Sequence, residues 1–364
     1  MADQKDQTQN FPTITRAAYF QHLPDHSPGY LEETPEGAIQ LAQSLFEGYS
    51  KMDPSEILVK KLTGGGGNFA CWKVSPKADI SQDNWFTANP DLIPSIPAVV
   101  IHTRNKTDDL EHWMEKKMSL MQKLFWENDI TVPRLCQGNH WWVEPAIVDD
   151  WSKEGITVTA IAKIIANVHK LPTDWYKEIR DHIKGMYPCL RDASDGSNVW
   201  IKASKSSDWE RDGWLNEESQ KFAISCDKEP ISTAGKRIVN CHMDFHRFNL
   251  VSNKELEKNY LVDFEYSCVS TAAIDLAFTV SCIEWNVEWC QGNPDWWKDF
   301  MRTYLETLGL PATDQEIQNL MIDAQCGWLL MLHGHTCQEI HRKIFLPEYE
   351  WDLMKFYQKF VSDV

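Results

Sequence analysis

The sequence lacks the features that define several common protein classes. Its ten cysteines are scattered from Cys71 to Cys337 without a Cys-x-x-Cys pair, so they suggest neither a zinc ribbon nor a disulfide framework. No uninterrupted apolar run approaches the length of a membrane-spanning helix, and no membrane insertion is expected. The first ten residues are polar and form no secretory signal, which favours a cytoplasmic location with reduced cysteines.

Positive charge is also scarce. The 364 residues include 36 lysines and arginines against 53 acidic residues, which gives a formal net charge of -17. An acidic surface disfavours nucleic acid and anionic membranes as partners, and it is compatible with a cationic substrate. The length is sufficient for two domains or one bilobal unit.

The most informative segment runs from Ile238 to Tyr266. Two short β-like runs within it are each followed by a carboxylate, Asp244 and Asp263, and Asn249 lies between them. A hairpin here would bring the three side chains into one cleft. Phosphoryl transfer needs such a set, because one carboxylate orients or deprotonates a hydroxyl while an amide oxygen and a second carboxylate hold Mg²⁺.

The pattern His242-x-Asp244-x-x-x-x-Asn249, followed by Asp263-Phe264-Glu265, resembles the catalytic and metal-binding loops of the aminoglycoside phosphotransferase and choline kinase superfamily. The first pattern also arises by chance as a strand end with an Asx turn. The Asp-Phe-Glu pattern follows it at a spacing that one hairpin can bridge, and the two patterns together favour the kinase interpretation. Glu265 replaces the glycine of the protein-kinase Asp-Phe-Gly motif, which favours a small-molecule kinase.

This resemblance implies ATP and Mg²⁺ as cofactors. Asp244 would be the catalytic base, Asn249 and Asp263 the Mg²⁺ ligands, and His242 a catalytic-loop residue that holds the loop backbone. Arg247 and Phe248 stand where the family commonly has proline and glycine.

The implied fold class is α+β, a bilobal protein-kinase-like fold. A small N-lobe would carry an antiparallel sheet plus a helix, and a larger C-lobe would be mainly α-helical. The corresponding predicted boundaries are a lead-in at 1–33, an N-lobe at 34–148 and a C-lobe at 149–364.

A glycine-rich turn is predicted between strands at 56–62 and 68–74, after a helix that Thr34 caps and that ends near Pro54. Its glycines permit positive φ, so backbone amides there could cover the phosphates of a nucleotide. A flexible hairpin linker would look the same. The predicted nucleotide-binding residues of the turn are Gly64, Gly65, Gly66, Gly67 and Asn68.

The third strand, predicted at 98–104, should present a cation to the α and β phosphates. His102 stands where a lysine or arginine is expected, and Arg104 lies on the same strand face two residues later. Arg104 is the preferred cation, because its charge does not depend on pH. Its predicted partner is Glu115 on the helix at 107–128, with Glu111 as the competitor.

The strand predicted at 140–146 resembles the last N-lobe strand and its hinge. Backbone groups around Glu144 to Ala146 are predicted to contact the adenine. In the C-lobe, a helix is predicted over Thr157 to Lys170, with His169 as a packed residue at its end. Asp275 lies at a spacing from Asp263 at which the family has an aspartate that supports the catalytic loop from behind, and we expect the same structural role.

The expected partner is a small molecule that offers a hydroxyl, with a cationic amino alcohol such as choline or ethanolamine as the leading choice. Aromatic and acidic side chains can enclose such a cation, although these tryptophans could equally pack the core. Aminoglycosides, sugars and a catalytically silent binding protein remain open, and the oligomeric state is not indicated. The predicted substrate-binding residues are Glu265, Glu284, Trp285, Glu288 and Trp289.

Overall fold

The computed structural model describes, apart from the isolated residues 93, 293 and 327, the ranges 34–62, 70–77, 96–103, 109–138, 141–147, 156–178, 230–245, 249–253, 258–264, 267–285 and 295–325. The chain divides into two compact units. The first comprises Met1–Ser152 and Phe248–Asp263, and the second comprises Lys153–Arg247 and Phe264–Val364. The predicted division at 148/149 stays a prediction.

A five-stranded antiparallel sheet forms the framework of the first unit, in the order β1-β2-β3-β5-β4. The strands predicted at 56–62, 68–74, 98–104 and 140–146 are present, each within two residues of its expected ends. The strands are β1 (Ile57–Lys61), β2 (Ala70–Pro76), β3 (Val99–Thr103), β4 (Cys136–Gln137) and β5 (Trp141–Pro145).

Two helical segments precede the sheet, α1 (Pro35–Leu45) and α2 (Glu47–Ser50), and α3 (Asp109–Glu127) follows β3. The predicted Thr34 cap is confirmed, since its side chain accepts a hydrogen bond from Gly37 N at 3.1 Å. The helix predicted to continue to Pro54 is instead interrupted at Phe46, whose φ of -120° and ψ of 121° are extended. The break leaves Tyr49 buried, with its hydroxyl donating to Pro97 O at 2.8 Å.

One face of the sheet belongs to an apolar core that includes Trp72, Ile101 and Val143 together with Leu41 of α1. The hairpin of β7 (Leu250–Asn253) and β8 (Lys258–Leu261) also belongs to this unit. Its Tyr260 is 4% exposed and lies in the same core. Leu261 N donates to Ile130 O at 2.9 Å, which fixes the hairpin to the segment after α3.

The second unit contains α4 (Val158–Lys170), the paired strands β6 (Ile238–Cys241) and β9 (Cys268–Thr271), α5 (Ala272–Trp285), α6 (Trp296–Leu308) and a helical segment at 314–325. α4 begins at the predicted position, since the Thr157 hydroxyl accepts from Ala160 N at 3.1 Å. β9 is a strand that the sequence analysis does not predict.

The segment at 314–325 positions the turn that leads into β6. Asp323 accepts from Ile231 N at 2.7 Å and from Ser232 N at 2.8 Å. A Cβ at Gly235 would lie 2.5 Å from the Asp323 carboxylate, so this turn requires glycine. Among the described helices, none is long and apolar enough to span a bilayer.

Candidate active site

The segment after β6 carries Asp244 in a constrained backbone. Met243 has a φ of 66°, a left-handed conformation that is uncommon for a residue with a side chain. Its backbone N–H donates to Asp275 Oδ1 at 2.7 Å, and this bond holds the unusual conformation. Asp244 follows directly and is partly exposed.

Asp275 is fully buried and has a second partner. Its Oδ2 lies 2.8 Å from His169 Nε2, and His169 Nδ1 lies 2.7 Å from the Tyr304 hydroxyl. A single imidazole tautomer satisfies both contacts, with Nε2–H donating to the carboxylate and the Tyr304 hydroxyl donating to Nδ1. Tyr304, His169, Asp275 and the Met243 amide therefore form one chain of hydrogen bonds, which we call the Asp275 network.

The charge of Asp275 is stabilised despite its burial. Burial by itself raises the pKa of this carboxyl, but the hydrogen bond from His169 and its electrostatic attraction, together with the Met243 N–H, outweigh it and lower the pKa. Asp275 therefore remains a hydrogen-bond acceptor for the catalytic-loop backbone at neutral pH.

Cys241 completes a compact group with His169 and Asp275, whose potential ligand atoms all lie within 4.8 Å of one another. Burial raises the pKa of the Cys241 thiol well above its ordinary value. Both ring nitrogens of His169 are engaged in hydrogen bonds. We therefore interpret this group as a structural network.

His242 packs inside the second unit beside the same loop. Its ring meets that of Phe264 edge to face, with 5.5 Å between the centroids. Its carbonyl oxygen accepts from the Ser267 hydroxyl at 3.3 Å. The side chain is fully buried, a position suited to holding the loop.

Asn249 and Asp263 lie at the same end of the β7–β8 hairpin. Leu250 pairs with Leu261, and Val262 N donates to Asn249 O at 2.9 Å, which extends the pairing by one step. Asp263 follows directly with a φ of 64°. Their side chains offer an amide oxygen and a carboxylate, the hard oxygen donors that Mg²⁺ prefers, so these residues fit the metal that the kinase motif implies.

His102, on the third strand, has its ring nitrogens engaged by neighbouring side chains. Nε2 lies 3.3 Å from Glu144 Oε2, and Nδ1 lies 3.2 Å from Cys71 Sγ. Glu144 Oε1 accepts from Gln122 at 2.7 Å and from the Trp142 indole at 2.9 Å. A phosphate would have to compete for donors that are already in use, so His102 is poorly placed as the phosphate-binding cation.

Arg134 extends this cluster. Its Nε donates to Gln122 Oε1 at 2.6 Å, and its guanidinium lies 4.5 Å above the Trp142 ring centroid. We call Cys71, His102, Glu144, Gln122, Trp142 and Arg134 the His102 network. Burial raises the pKa of Glu144, but the charges of His102 and Arg134 and the Gln122 hydrogen bond outweigh it and keep the pKa below its ordinary value.

The stability of the protein should fall as pH rises because of this network. The pKa of His102, ordinarily 6.5, is raised to about 10 in the folded protein. The contribution of His102 to the free energy of unfolding is therefore fully present below about pH 6.5 and is lost as pH rises through about 10. From pH 6.5 to 9, we expect the free energy of unfolding to decrease more steeply in the wild type than in His102→Gln, by at most about 1.4 kcal/mol per pH unit. Urea titrations followed by tryptophan fluorescence measure how the free energy of unfolding changes with pH in both proteins. Equal slopes would contradict the raised pKa of His102.

The predicted hinge groups lie at the end of β5. The Glu144 side chain belongs to the His102 network, and the Ala146 N–H donates to Ala98 O at 3.0 Å. This backbone donor thus already has a partner within the first unit. The adenine contact of Glu144 and Ala146 stays a prediction.

Several predicted site residues lie outside the described part of the chain. Glu115, Glu284 and Trp285 belong to described helices, but their side chains are outside it. The whole of the following residues lies outside it: Gly64, Gly65, Gly66, Gly67, Asn68, Arg104, Glu265, Glu288 and Trp289.

The sequence interpretation missed His169 and Tyr304 as supports of the catalytic loop. His169 had been assigned only a packing role. Its position one residue after the buried Val168 places an imidazole on the inner side of α4, and a buried imidazole needs polar partners. That signal could have pointed to Asp275. Nothing in the sequence singles out Tyr304.

The fold and the loop residues together define a protein-kinase-like phosphotransferase. The family model for choline/ethanolamine kinase matches residues 148–357, and the chain belongs to this family. It is a kinase of the small-molecule class, as the sequence predicted.

Solved structures show the same fold. Ethanolamine kinase from Plasmodium vivax is 19% identical, with a TM-score of 0.56 and 90% of each chain covered. Choline kinase from Cryptosporidium parvum is 14% identical, with a TM-score of 0.54, covering 90% of this chain and 95% of that one. Macrolide 2'-phosphotransferase from Brachybacterium faecium is 11% identical, with a TM-score of 0.51, and the match covers 85% of this chain and 96% of that one. A search of curated proteins finds no match.

Proposed function

We propose that this protein transfers the γ-phosphoryl group of ATP to the hydroxyl of a choline- or ethanolamine-like amino alcohol. The match to the choline/ethanolamine kinase family over residues 148–357 is the observation that carries this substrate class. The net charge of -17 is compatible with a cationic acceptor.

Asp244 accepts the proton of the acceptor hydroxyl, or orients that hydroxyl, as its oxygen forms the new bond to phosphorus and ADP departs. The Asp275 network supports this role, because it fixes the backbone one residue before the carboxylate. Positioning of this kind lowers the barrier by removing orientational freedom from the reacting groups. His242 holds the loop through its buried ring and its carbonyl.

Asn249 and Asp263 are the residues that hold Mg²⁺. The Asn249 O–Val262 N hydrogen bond supports the proposal by keeping their backbones adjacent. When bound, the metal would neutralise the charge that develops on the transferred phosphoryl group. The glycine-rich turn with Asn68, the cation Arg104 with Glu115, and the backbone around Glu144 and Ala146 complete the proposed nucleotide site.

The amino group of the acceptor is proposed to lie among Glu265, Glu284, Trp285, Glu288 and Trp289. Each cation–π contact in such a site contributes roughly 0.5 to 2 kcal/mol.

A second acceptor class, antibiotics with sugar hydroxyls, is favoured by the similarity to the macrolide phosphotransferase fold. A silent nucleotide-binding protein is a third alternative, because the His102 network occupies the strand-three histidine.

Acceptor-dependent ADP release separates these possibilities. The purified protein is assayed with Mg-ATP and, separately, choline, ethanolamine, a monosaccharide, an aminoglycoside and a macrolide. We expect turnover with choline or ethanolamine alone, a phosphomonoester product by ³¹P NMR, and loss of turnover with EDTA. Turnover only with an antibiotic would establish the second class. Tight Mg-ATP binding by calorimetry without turnover for any acceptor would favour the silent binder.

A further inference from the structure

Three neighbouring strands bring a thiol, an imidazole and a carboxylate into line. Cys71 on β2 is paired in register with His102 on β3, and its Sγ lies 3.2 Å from His102 Nδ1. On the far side of the ring, His102 Nε2 lies 3.3 Å from Glu144 Oε2 on β5. A nucleophile, a base and a group that orients the base have this order in enzymes that use an activated cysteine.

The imidazole is fixed in this orientation. Its ring stacks on Trp142 with 4.4 Å between centroids and 7° between planes. Glu144 is fixed in turn, because Gln122 and the Trp142 indole both donate to its Oε1 and leave Oε2 to face His102. The ring therefore cannot rotate away from Sγ without breaking its contact with Glu144.

The protonation of His102 makes Sγ a hydrogen-bond acceptor. Burial alone would lower the pKa of His102, but the charges of Cys71 and Glu144 and their hydrogen bonds outweigh it and raise the pKa to about 10. At neutral pH the ring therefore has two N–H groups, of which one donates to Glu144 and the other points at Sγ. A positive ring at this distance from Sγ stabilises the negative charge that develops on the sulfur when it attacks.

We propose that Cys71 is a reactive thiol that forms a mixed disulfide with low-molecular-weight disulfides, and that His102 and Glu144 activate it. Sγ attacks one sulfur of the disulfide, the reagent's S–S bond breaks, and the displaced thiolate leaves. The proton that Sγ had carried resides on His102, and the carboxylate of Glu144 balances the charge of the ring.

Cys136 of the same sheet offers a matched comparison. It is 8% exposed and Cys71 is 9% exposed, so the two residues are buried to nearly the same degree. Burial raises the pKa of the Cys136 thiol to about 12, which keeps it protonated and unreactive. Cys268, 8% exposed in the second unit, provides another comparison.

The test measures modification at each cysteine of the full-length protein. The folded protein is incubated at pH 7 with glutathione disulfide or with iodoacetamide, and peptide mass mapping follows each site over time. We expect Cys71 to be modified at least about 10-fold faster than Cys136 or Cys268 by both reagents. Equal rates at Cys71 and Cys136 in the folded protein would overturn the proposal.

Glu144→Gln separates electrostatic activation from exposure. This variant keeps the size of the side chain but removes the charge that holds His102 protonated, so the Cys71 rate should fall towards that of Cys136. His102→Gln should have the same effect. Cys136 reports folding within the same experiment, since faster labelling there would reveal an unfolded variant. An unchanged Cys71 rate in both folded variants would also overturn the proposal.

Discussion

Asp244→Asn is expected to lower kcat by about 10²- to 10⁴-fold, the usual contribution of a positioned acid or base. The amide has the shape of the carboxylate but cannot accept the proton of the acceptor hydroxyl. The Asp275 network holds the loop through Met243 N, a contact that this substitution does not change, so the loop should keep its conformation. Steady-state ADP release gives kcat, and calorimetry should show Mg-ATP binding within about twofold of wild type, since no charge in the proposed metal site changes.

Asp295→Asn is the matched control for this change. It is the same isosteric substitution in the second unit, at a side chain that is 61% exposed and lies 2.8 Å from Lys298 Nζ across one helical turn. Wild-type turnover is expected there. Unchanged kcat in Asp244→Asn would remove Asp244 from the chemistry, whereas joint loss of turnover and Mg-ATP binding would assign it to the nucleotide or metal instead.

Asp275→Ala should lower the free energy of unfolding by about 2 to 6 kcal/mol, because each of two buried donors that lose their acceptor costs about 1 to 3 kcal/mol. The substitution leaves Met243 N and His169 Nε2 without their acceptor in a fully buried site. Urea unfolding followed by tryptophan fluorescence measures the loss. We also expect lower kcat in the protein that remains folded, since the left-handed conformation at Met243 loses the bond that holds it.

Two milder variants separate these effects. Asp275→Asn keeps an oxygen for Met243 N but removes the charge, so it should cost less stability than alanine. Tyr304→Phe removes only the hydroxyl that contacts His169 and should cost about 1 kcal/mol with nearly normal kcat. A loss below about 1 kcal/mol in Asp275→Ala would show that the Asp275 network contributes little to stability.

Much of the first unit could be predicted because its patterns are local. Runs of strand-forming residues located β1, β2, β3 and β5, and the helical repeat of α3 predicted its ends within two residues. Thr34 identified the start of α1 because a hydroxyl cap acts within one turn. The kinase motif, finally, indicated the fold of the whole chain.

Features that depend on distant contacts could not be predicted in the same way. The break at Phe46 allows the Tyr49 hydroxyl to reach Pro97 O, 48 residues away. β9 forms because β6 needs a partner. The role of His169 likewise depends on Asp275 and Tyr304, each more than 100 residues later.

The candidate site shows the same distinction. Asn249 and Asp263 are placed by a hairpin whose turn is short in sequence, so their shared end could be foreseen. The contacts of His102 could not be foreseen, because Cys71, Gln122 and Glu144 come from three other elements of the first unit.

The β7–β8 hairpin also sets the order in which the polypeptide can mature during synthesis. The first unit includes Phe248–Asp263, and its core contains Tyr260, so translation of residues 1–152 does not yet supply all its parts. A nascent chain arrested before residue 248 should leave Ile130 O and Thr131 Oγ1 without their Leu261 partners. It should therefore be cleaved by protease within the first unit, and chains extended beyond residue 263 and clear of the ribosome should resist.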